Sequence, residues 1–380
     1  MPDTAKVGLI GAGFIGESHA RAIRMMPVVF SGARPHPVPH MLAENSEDLA
    51  MRRASQLGFA RGVADWRSVV DECDAIVIAV PSHLHFEIAR AAIEQGKAVL
   101  CEKPVGLSSL EATDLADAVR AARVPNAVGF TYMRAPLVRH AVALVRNGAL
   151  GRPLHFRGWH CEDYLADATA PFTWRLDPDL AGRTGALGDL GWHILSIARA
   201  FCGQIVALSG SVQTYHAQRP LPDDRTAFRT VGNEDWAGMT LSFESGAHGL
   251  IECSRIAHGR KMDIGFELVC ENGTVAFHGE RMNEIKIYRA GDGSMKSGFE
   301  TIHCSADHPD YAAFIPAPGH GLGFHDLKVI EMRDFMGAIA EKRGADPDLN
   351  QAARIARICE AVLRSHEIGE QISTPEERAE

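Results

Sequence analysis

The chain has 380 residues, 46% of them hydrophobic and 23% charged, with a formal net charge of −9. That length exceeds one ordinary hydrophobic core, so two domains are expected. A net acidic chain without a long basic block argues against nucleic acid and anionic membrane surfaces as partners, and no stretch reaches the ~18 apolar residues of a membrane span.

Residues 6–10 (KVGLI) predict a strand that runs into Gly11, Ala12 and Gly13, and a helix follows from Phe14 to Met26. Prolines at 35, 37 and 39 argue against a central strand, because proline has no N–H for the ladder. Residues 27–38 are therefore expected as a loop, with the second strand confined to His40–Ala43 and closed by Glu44. Ser46 is a natural cap for a helix over 46–57. DAIVIAV at 74–80 has the continuous apolar character of a buried parallel strand and stops at Pro81. Helix 84–95, strand 98–101, the triplet Glu102-Lys103-Pro104, helix 108–122 and strand 126–130 complete the alternation. The pattern is that of a doubly wound α/β sheet, with a first domain over 1–126.

The second domain, 127–380, reads as α+β. Strands are expected at 154–161, 205–215, 237–245, 248–257, 264–272, 273–279 and 283–289, with tight turns at Glu244-Ser245-Gly246 and Glu271-Asn272-Gly273. Close succession of strands predicts a large, mostly antiparallel sheet, open on one face. Helices are expected over 189–201, 325–343 and 350–366, and a frayed charged tail after Ile372.

Gly11-x-Gly13-x-x-Gly16 follows a strand and opens a helix. The first glycine permits the tight turn, the second lets the backbone approach a pyrophosphate, and the third lets helix and strand pack closely. Free N–H groups at the helix start suit phosphate. Gly11, Gly13, Phe14, Ile15 and Gly16 are thus candidate cofactor residues. Glu44, ending the second strand, would accept hydrogen bonds from ribose hydroxyls and repel a 2′-phosphate, which favours NAD over NADP; Arg52 and Arg53 are the basic residues nearby. Lys103 sits at the carboxyl end of a parallel strand, where open α/β sheets bind ligands, and its ammonium can stabilise a developing alkoxide. Four residues separate Asp189 from His193, which places them on one helix face, and glycines at 182, 185, 188 and 191 leave room for a ligand. Oxidising an alcohol by hydride transfer needs one base for the hydroxyl proton. The eight cysteines stand singly without a C-x-x-C pair, and His83-x-His85 lacks catalytic-zinc spacing, so no metal is expected. The N-terminus shows no signal-peptide pattern, and a cytoplasmic enzyme is expected.

In this order, the glycine fingerprint, Glu102-Lys103-Pro104 and the Asp189/His193 pair resemble the glucose–fructose oxidoreductase, inositol dehydrogenase and rhizopine-catabolism family. The resemblance covers nearly the whole chain. It implies NAD-dependent oxidation of a ring hydroxyl of a cyclic polyol or sugar, such as scyllo- or myo-inositol or an aldose like L-glucose. It also implies a homo-oligomer, dimer or tetramer, formed through the open sheet. Glu162-Asp163-Tyr164, Trp174-Arg175-Leu176, the 185–191 stretch and Pro318-Gly319-His320 are similar to scyllo-inositol and L-glucose dehydrogenases. The family pattern assigns Lys103 and His193, with Asp189, to catalysis, and the narrower likeness assigns Arg175 and His320, with Tyr132, to the substrate. It adds Pro81, His85, Glu102 and Trp174 to the cofactor set. Lys103 and His193 can exchange the roles of proton acceptor and oxyanion partner. Thr131 and Ser82 stand where many relatives carry asparagine, which bears on substrate identity. The alternatives are a glycoside or anhydrosugar dehydrogenase acting at a ring carbon such as C3, and an oxidoreductase that retains its cofactor. A non-catalytic NAD sensor would lack the lysine and histidine.

Overall fold

The computed structural model describes residues 3–291, 298–315 and 317–374. From the N-terminus run β1 (Thr4–Ile10), α1 (Phe14–Val29), β2 (His36–Ala43), α2 (Glu47–Leu57), β3 (Arg61–Val63), α3 (Trp66–Glu72), β4 (Ala75–Ile78), α4 (His85–Glu94), β5 (Ala98–Cys101), α5 (Ser109–Ala122) and β6 (Asn126–Val128). The six strands are parallel and lie in the order β3-β2-β1-β4-β5-β6. Chain order reverses between β1 and β4, which creates a crevice at their carboxyl ends. Every residue of β4 and β5 is buried, as the unbroken apolar runs require. Ser46 caps α2 through its hydroxyl, which accepts from the Leu49 amide at 3.4 Å.

The expected loop over 27–38 is corrected. Helix α1 continues through Pro27 to Val29, and β2 starts at His36 and includes Pro37 and Pro39. The prolines are tolerated because β3 pairs only with Met41–Ala43. Along 36–40 the strand has a partner on one flank alone, β1, so missing N–H groups can face the unpaired side.

Next come α6 (Pro136–Arg146), β7 (Pro153–Cys161), α7 (Pro178–Ala181), α8 (Trp192–Cys202), β8 (Ile205–Gln213), β9 (Gln218–Pro220), β10 (Phe228–Thr230), β11 (Trp236–Phe243), β12 (His248–Ser254), β13 (Asp263–Cys270), β14 (Gly273–His278), β15 (Glu284–Arg289), β16 (Glu300–His303) and α9 (Tyr311–Phe314). The chain ends with α10 (Phe324–Glu341), α11 (Leu349–Ile368) and β17 (Ile372–Ser373). Of the tail expected to fray after Ile372, Ser373 pairs with β8 and the Thr374 amide donates to Val206 O at 2.9 Å, so these two are held, and 375–380 lie outside the described residues. Nine strands form one sheet in the order β16-β15-β14-β13-β7-β12-β11-β8-β17. Its pairings among the described residues are antiparallel except β7 with β12. Phe156, Gly158 and His160 of β7 are buried on one face, toward α8, while His155 and Arg157 on the other are exposed.

By its contacts the chain divides into two units: 1–134 with 323–356, and 135–322 with 357–380. This differs from the expected cut after 126, which would fall inside β6, a strand paired with β5. Helix α10 returns to the first unit and packs on α1. The expected helix over 189–201 also differs. It starts as a π-turn over Leu187–Gly191 and continues as α8. Wide π-turns inside helices often mark functional sites.

Candidate active site

The expected site residues fall in both units. In the first, β1 turns at Gly11, whose φ is +89° and whose amide donates to Ala43 O at 3.0 Å. A Cβ on Gly16 would come within 2.0 Å of Gly11 O. A Cβ on Gly13 would meet nothing within 4 Å. Gly16 is therefore a packing glycine, whereas Gly13 borders open space at the start of α1, where a pyrophosphate needs close backbone approach. Phe14 is 75% exposed beside it and stacks on Phe324, ring centroids 6.2 Å apart; Ile15 is the next residue of α1. Phe324 in turn lies 6.4 Å from the ring of Tyr132, which is nearly buried.

Glu44 directly follows β2, as expected. Its Oε1 accepts from the Ala12 amide at 2.6 Å, so the carboxylate closes on the glycine turn. Arg53 donates to Ala12 O at 2.6 Å and to Glu17 at 3.2 Å. The basic group nearest the turn is thus tied down rather than offered to a 2′-phosphate. Open space at Gly13, the α1 N-terminus and a carboxylate at the end of β2 fit NAD.

Pro81 starts the turn after β4, and its carbonyl accepts from the Leu84 amide at 3.0 Å. His85 is buried with Nδ1 2.6 Å from Pro104 O and Nε2 2.8 Å from Val80 O. Burial lowers the pKa of this imidazole. Both neighbours are carbonyl oxygens, so the neutral ring donates to one of them at a time, and it braces the turn before Pro81 against the Lys103-Pro104 corner. Lys103 itself is half-buried at the end of β5, and its peptide bond to Pro104 is cis.

Glu102 points into protein. Its Oε1 lies 2.8 Å from His19 Nε2 and 2.5 Å from Lys328 Nζ, and Lys328 also donates to Glu331 at 2.8 Å. Burial opposes ionisation of Glu102, but the Lys328 ammonium and His19 hold its carboxyl well below the ordinary range. A Cβ on Gly129 would sit 2.4 Å from Glu102 Oε2. Glu102, directly before Lys103, is thus braced by Lys328 and His19. His19, Glu102 and Glu331 have the spacing of a metal-binding group, yet Lys328 already bonds to both carboxylates. No signal of spacing could have joined Lys328 to Glu102, which lie 226 residues apart.

In the second unit the π-turn presents Asp189. Its Oδ2 accepts from the Tyr164 hydroxyl at 2.6 Å and lies 3.4 Å from Arg175 Nε. Desolvation and the Asp189 charge raise the pKa of the Tyr164 phenol. Arg175 lies over Trp174, its guanidinium 4.5 Å from the ring centre. Tyr164, Trp174, Arg175 and Asp189 therefore form one cluster that joins a carboxylate, a guanidinium and a phenol to an aromatic face. His193, in the first turn of α8, is buried with its ring 5.7 Å from His160. His160 Nδ1 lies 3.0 Å from Leu190 O in the π-turn and Nε2 3.1 Å from Glu162. The sequence reading missed His160; alternation along β7 places it on the inner face. His320 lies in an exposed turn, with Nδ1 3.1 Å from Ala317 O.

Among known proteins, residues 5–130 match the oxidoreductase family with an NAD-binding Rossmann fold, and 138–276 match the GFO/IDH/MocA C-terminal domain. A levoglucosan dehydrogenase of Pseudarthrobacter phenanthrenivorans is 38% identical over 372 residues, 94% of this chain and 95% of that protein. A solved levoglucosan dehydrogenase in complex with NADH and L-sorbose superposes with a TM-score of 0.95 at 36% identity, covering 97% and 98% of the two chains. Inositol 2-dehydrogenase 2 of Saccharopolyspora erythraea is 29% identical over 72% of this chain and 74% of its own length.

Proposed function

This chain belongs to the GFO/IDH/MocA family of NAD-dependent oxidoreductases, and from that membership we propose that it oxidises a ring hydroxyl of a cyclic sugar or polyol, with an anhydrosugar as the first candidate substrate. The observation that carries the reading is the cluster of Tyr164, Arg175 and Asp189 beside Trp174. A carboxylate, a guanidinium and a phenol within one hydrogen-bonded group suit vicinal hydroxyls, and an aromatic face suits the C–H face of a sugar ring. The anhydrosugar is placed ahead of inositols and aldoses because of the 38% identity to a levoglucosan dehydrogenase, against 29% to an inositol dehydrogenase.

When bound, NAD supplies the hydride acceptor. Gly11, Gly13, Phe14, Ile15 and Glu44 would hold it, Gly16 would let the glycine turn pack on α1, and Pro81, His85, Glu102 and Trp174 would complete its contacts. His193 takes the hydroxyl proton and Lys103 stabilises the developing oxyanion, or the two exchange these roles; either distribution supplies the one base the chemistry needs. Asp189 and Arg175 orient the ring, and Tyr132 and His320 complete the substrate contacts. The enzyme is proposed to be cytoplasmic, consistent with eight free, buried cysteines, and no described helix is long and apolar enough to cross a membrane. We also propose a homodimer or homotetramer, supported by the face of the nine-stranded sheet that carries exposed His155, Arg157 and Leu250.

The test is NADH formation with purified protein, NAD or NADP, and a panel of anhydrosugars, inositols and aldoses. Turnover with NAD on at least one ring polyol is expected, and Lys103→Ala and His193→Ala should each lose at least ~100-fold in kcat while still binding NAD. No turnover across the panel, or near-normal turnover in both variants, would overturn it.

A further inference from the structure

Three consecutive buried polar residues, Asn233, Glu234 and Asp235, precede β11, and the first two bond to the backbone segments that carry Arg175 and Asp189. Glu234 spreads its two carboxylate oxygens over the start of the helical segment that carries Asp189. Oε2 accepts from the Gly185 amide at 2.8 Å and Oε1 from the Leu187 amide at 2.7 Å. The Glu234 carbonyl accepts the amide between them, from Ala186, at 2.9 Å. Three successive N–H groups, unsatisfiable within a helix at its first turn, are thereby held by one residue. The fit leaves no slack, since a Cβ on Gly185 would lie 2.2 Å from the Glu234 carbonyl oxygen. Asn233 performs the matching task on the other side of the cluster: its Nδ2 donates to Arg175 O at 2.8 Å. The tripeptide is itself locked by Arg255, which donates to Asp235 at 3.0 Å and to Asn233 Oδ1 at 2.9 Å. Asp235 in turn accepts the Tyr215 and His216 amides.

We propose that Asn233 and Glu234 form a positioning pair that sets the spacing of Arg175 and Asp189, and through it the fit of the sugar ring. This rests on the reading of that cluster as the substrate site. The logic is geometric. Arg175 is exposed on a three-residue turn and Asp189 lies in a π-turn that follows a glycine-rich segment, so each backbone is ordered by its own short turn but neither turn sets its distance from the other. Adjacent residues at 233 and 234 convert the distance between the two backbones into the distance between neighbouring Cα atoms, which is constant. Displacing a substrate contact by about 1 Å can cost 10²-fold in rate.

Two variants test it. Glu234→Gln keeps the shape but replaces one acceptor with a donor, and Asn233→Asp keeps the acceptor for Arg255 but removes the donor to Arg175. Hydrogen exchange followed by mass spectrometry on the folded proteins should show faster exchange over 185–189 for Glu234→Gln and over 173–177 for Asn233→Asp. Kinetics should show at least a tenfold rise in sugar KM or fall in kcat, with NAD affinity within twofold of wild type. Kinetic discrimination between ring epimers should narrow in both. Exchange and epimer discrimination both unchanged in either folded variant would overturn the proposal, as would a loss of NAD affinity equal to the loss for sugar. Should the wild-type chain turn over no ring polyol, the functional reading falls, and the exchange measurement still decides whether 233–234 holds the two segments. Should Glu234→Gln not fold, Asn233→Asp carries both readouts.

Discussion

Removing the ammonium from the buried group around Glu102 gives the sharpest test of how the Lys103 corner is held. Lys328 is fully buried and bonds to Glu102 at 2.5 Å and to Glu331 at 2.8 Å. Against burial, the two carboxylates hold its ammonium protonated beyond its ordinary range. Lys328→Met keeps most of the apolar stem and leaves the two carboxyl groups buried beside each other without the ammonium they share, His19 reaching Glu102 alone. Breaking a buried ion pair from one side costs about 3–5 kcal/mol. With a urea slope near the upper end of 1–3 kcal/mol per M, the midpoint falls by about 1–2 M. The pH dependence carries the sign. In the wild type the folded pKa of Glu102 is depressed, so its contribution is present above the unfolded value, about 4.3, and is lost as pH falls through the folded value. In the variant, burial and like charge raise the folded pKa values of the carboxyl pair. Its stability is then closest to wild type at acid pH and falls away as pH rises above about 4.3. Urea unfolding followed by circular dichroism from pH 4 to pH 8 measures both effects. Glu102→Gln added to Lys328→Met should recover a large part of the loss at neutral pH, since one uncompensated charge is gone. A loss under about 1 kcal/mol at pH 7, or one that does not vary with pH, would refute the account of Lys328 as the counter-ion of Glu102.

The two glycines of the fingerprint should separate fold from cofactor. Gly16→Ala, whose Cβ would meet Gly11 O at 2.0 Å, should lower stability by about 1–3 kcal/mol; Gly13→Ala should leave the melting temperature unchanged and weaken NAD at least tenfold by isothermal titration. Glu44→Ser removes the charged acceptor beside Ala12 and should narrow the NAD-over-NADP preference by about 10–100-fold, equivalent to ~1.5–3 kcal/mol for a charged hydrogen bond; an unchanged ratio would locate selectivity elsewhere. Tyr164→Phe deletes the 2.6 Å bond to Asp189 and should raise sugar KM about tenfold, near 1.4 kcal/mol, with NAD affinity unaltered. An equal effect on NAD would place Tyr164 outside the sugar site.

The cofactor half was readable because its chemistry is carried by the backbone over short spans. A strand, a glycine turn and a helix start need only 16 residues, and Glu44 was found at the right end of β2 although the start of that strand was misjudged. The error there was treating proline as excluded from a central strand, when the exclusion applies per flank and β3 covers only Met41–Ala43. In the second unit position was legible and partner was not. Asp189, His193, Arg175 and Trp174 were named, yet what orients them comes from Tyr164, His160, Asn233 and Glu234, which periodicity gives no reason to join to that site. Glu102 shows the same limit from the other side: its place after β5 was legible, but its role is set by Lys328, which arrives from α10 far along the chain. Short-range pattern names the groups at strand ends and helix starts, because backbone geometry dictates where those ends present them. The groups that brace those residues act through buried, long-range hydrogen bonds, and nothing local in the sequence distinguishes Glu234 from a solvated carboxylate before a strand. The division has a physical origin: desolvating a carboxylate is tolerable only when its acceptors are filled, and the donors that fill those of Glu234 come from the backbone at 185–187, where every residue type supplies the same N–H.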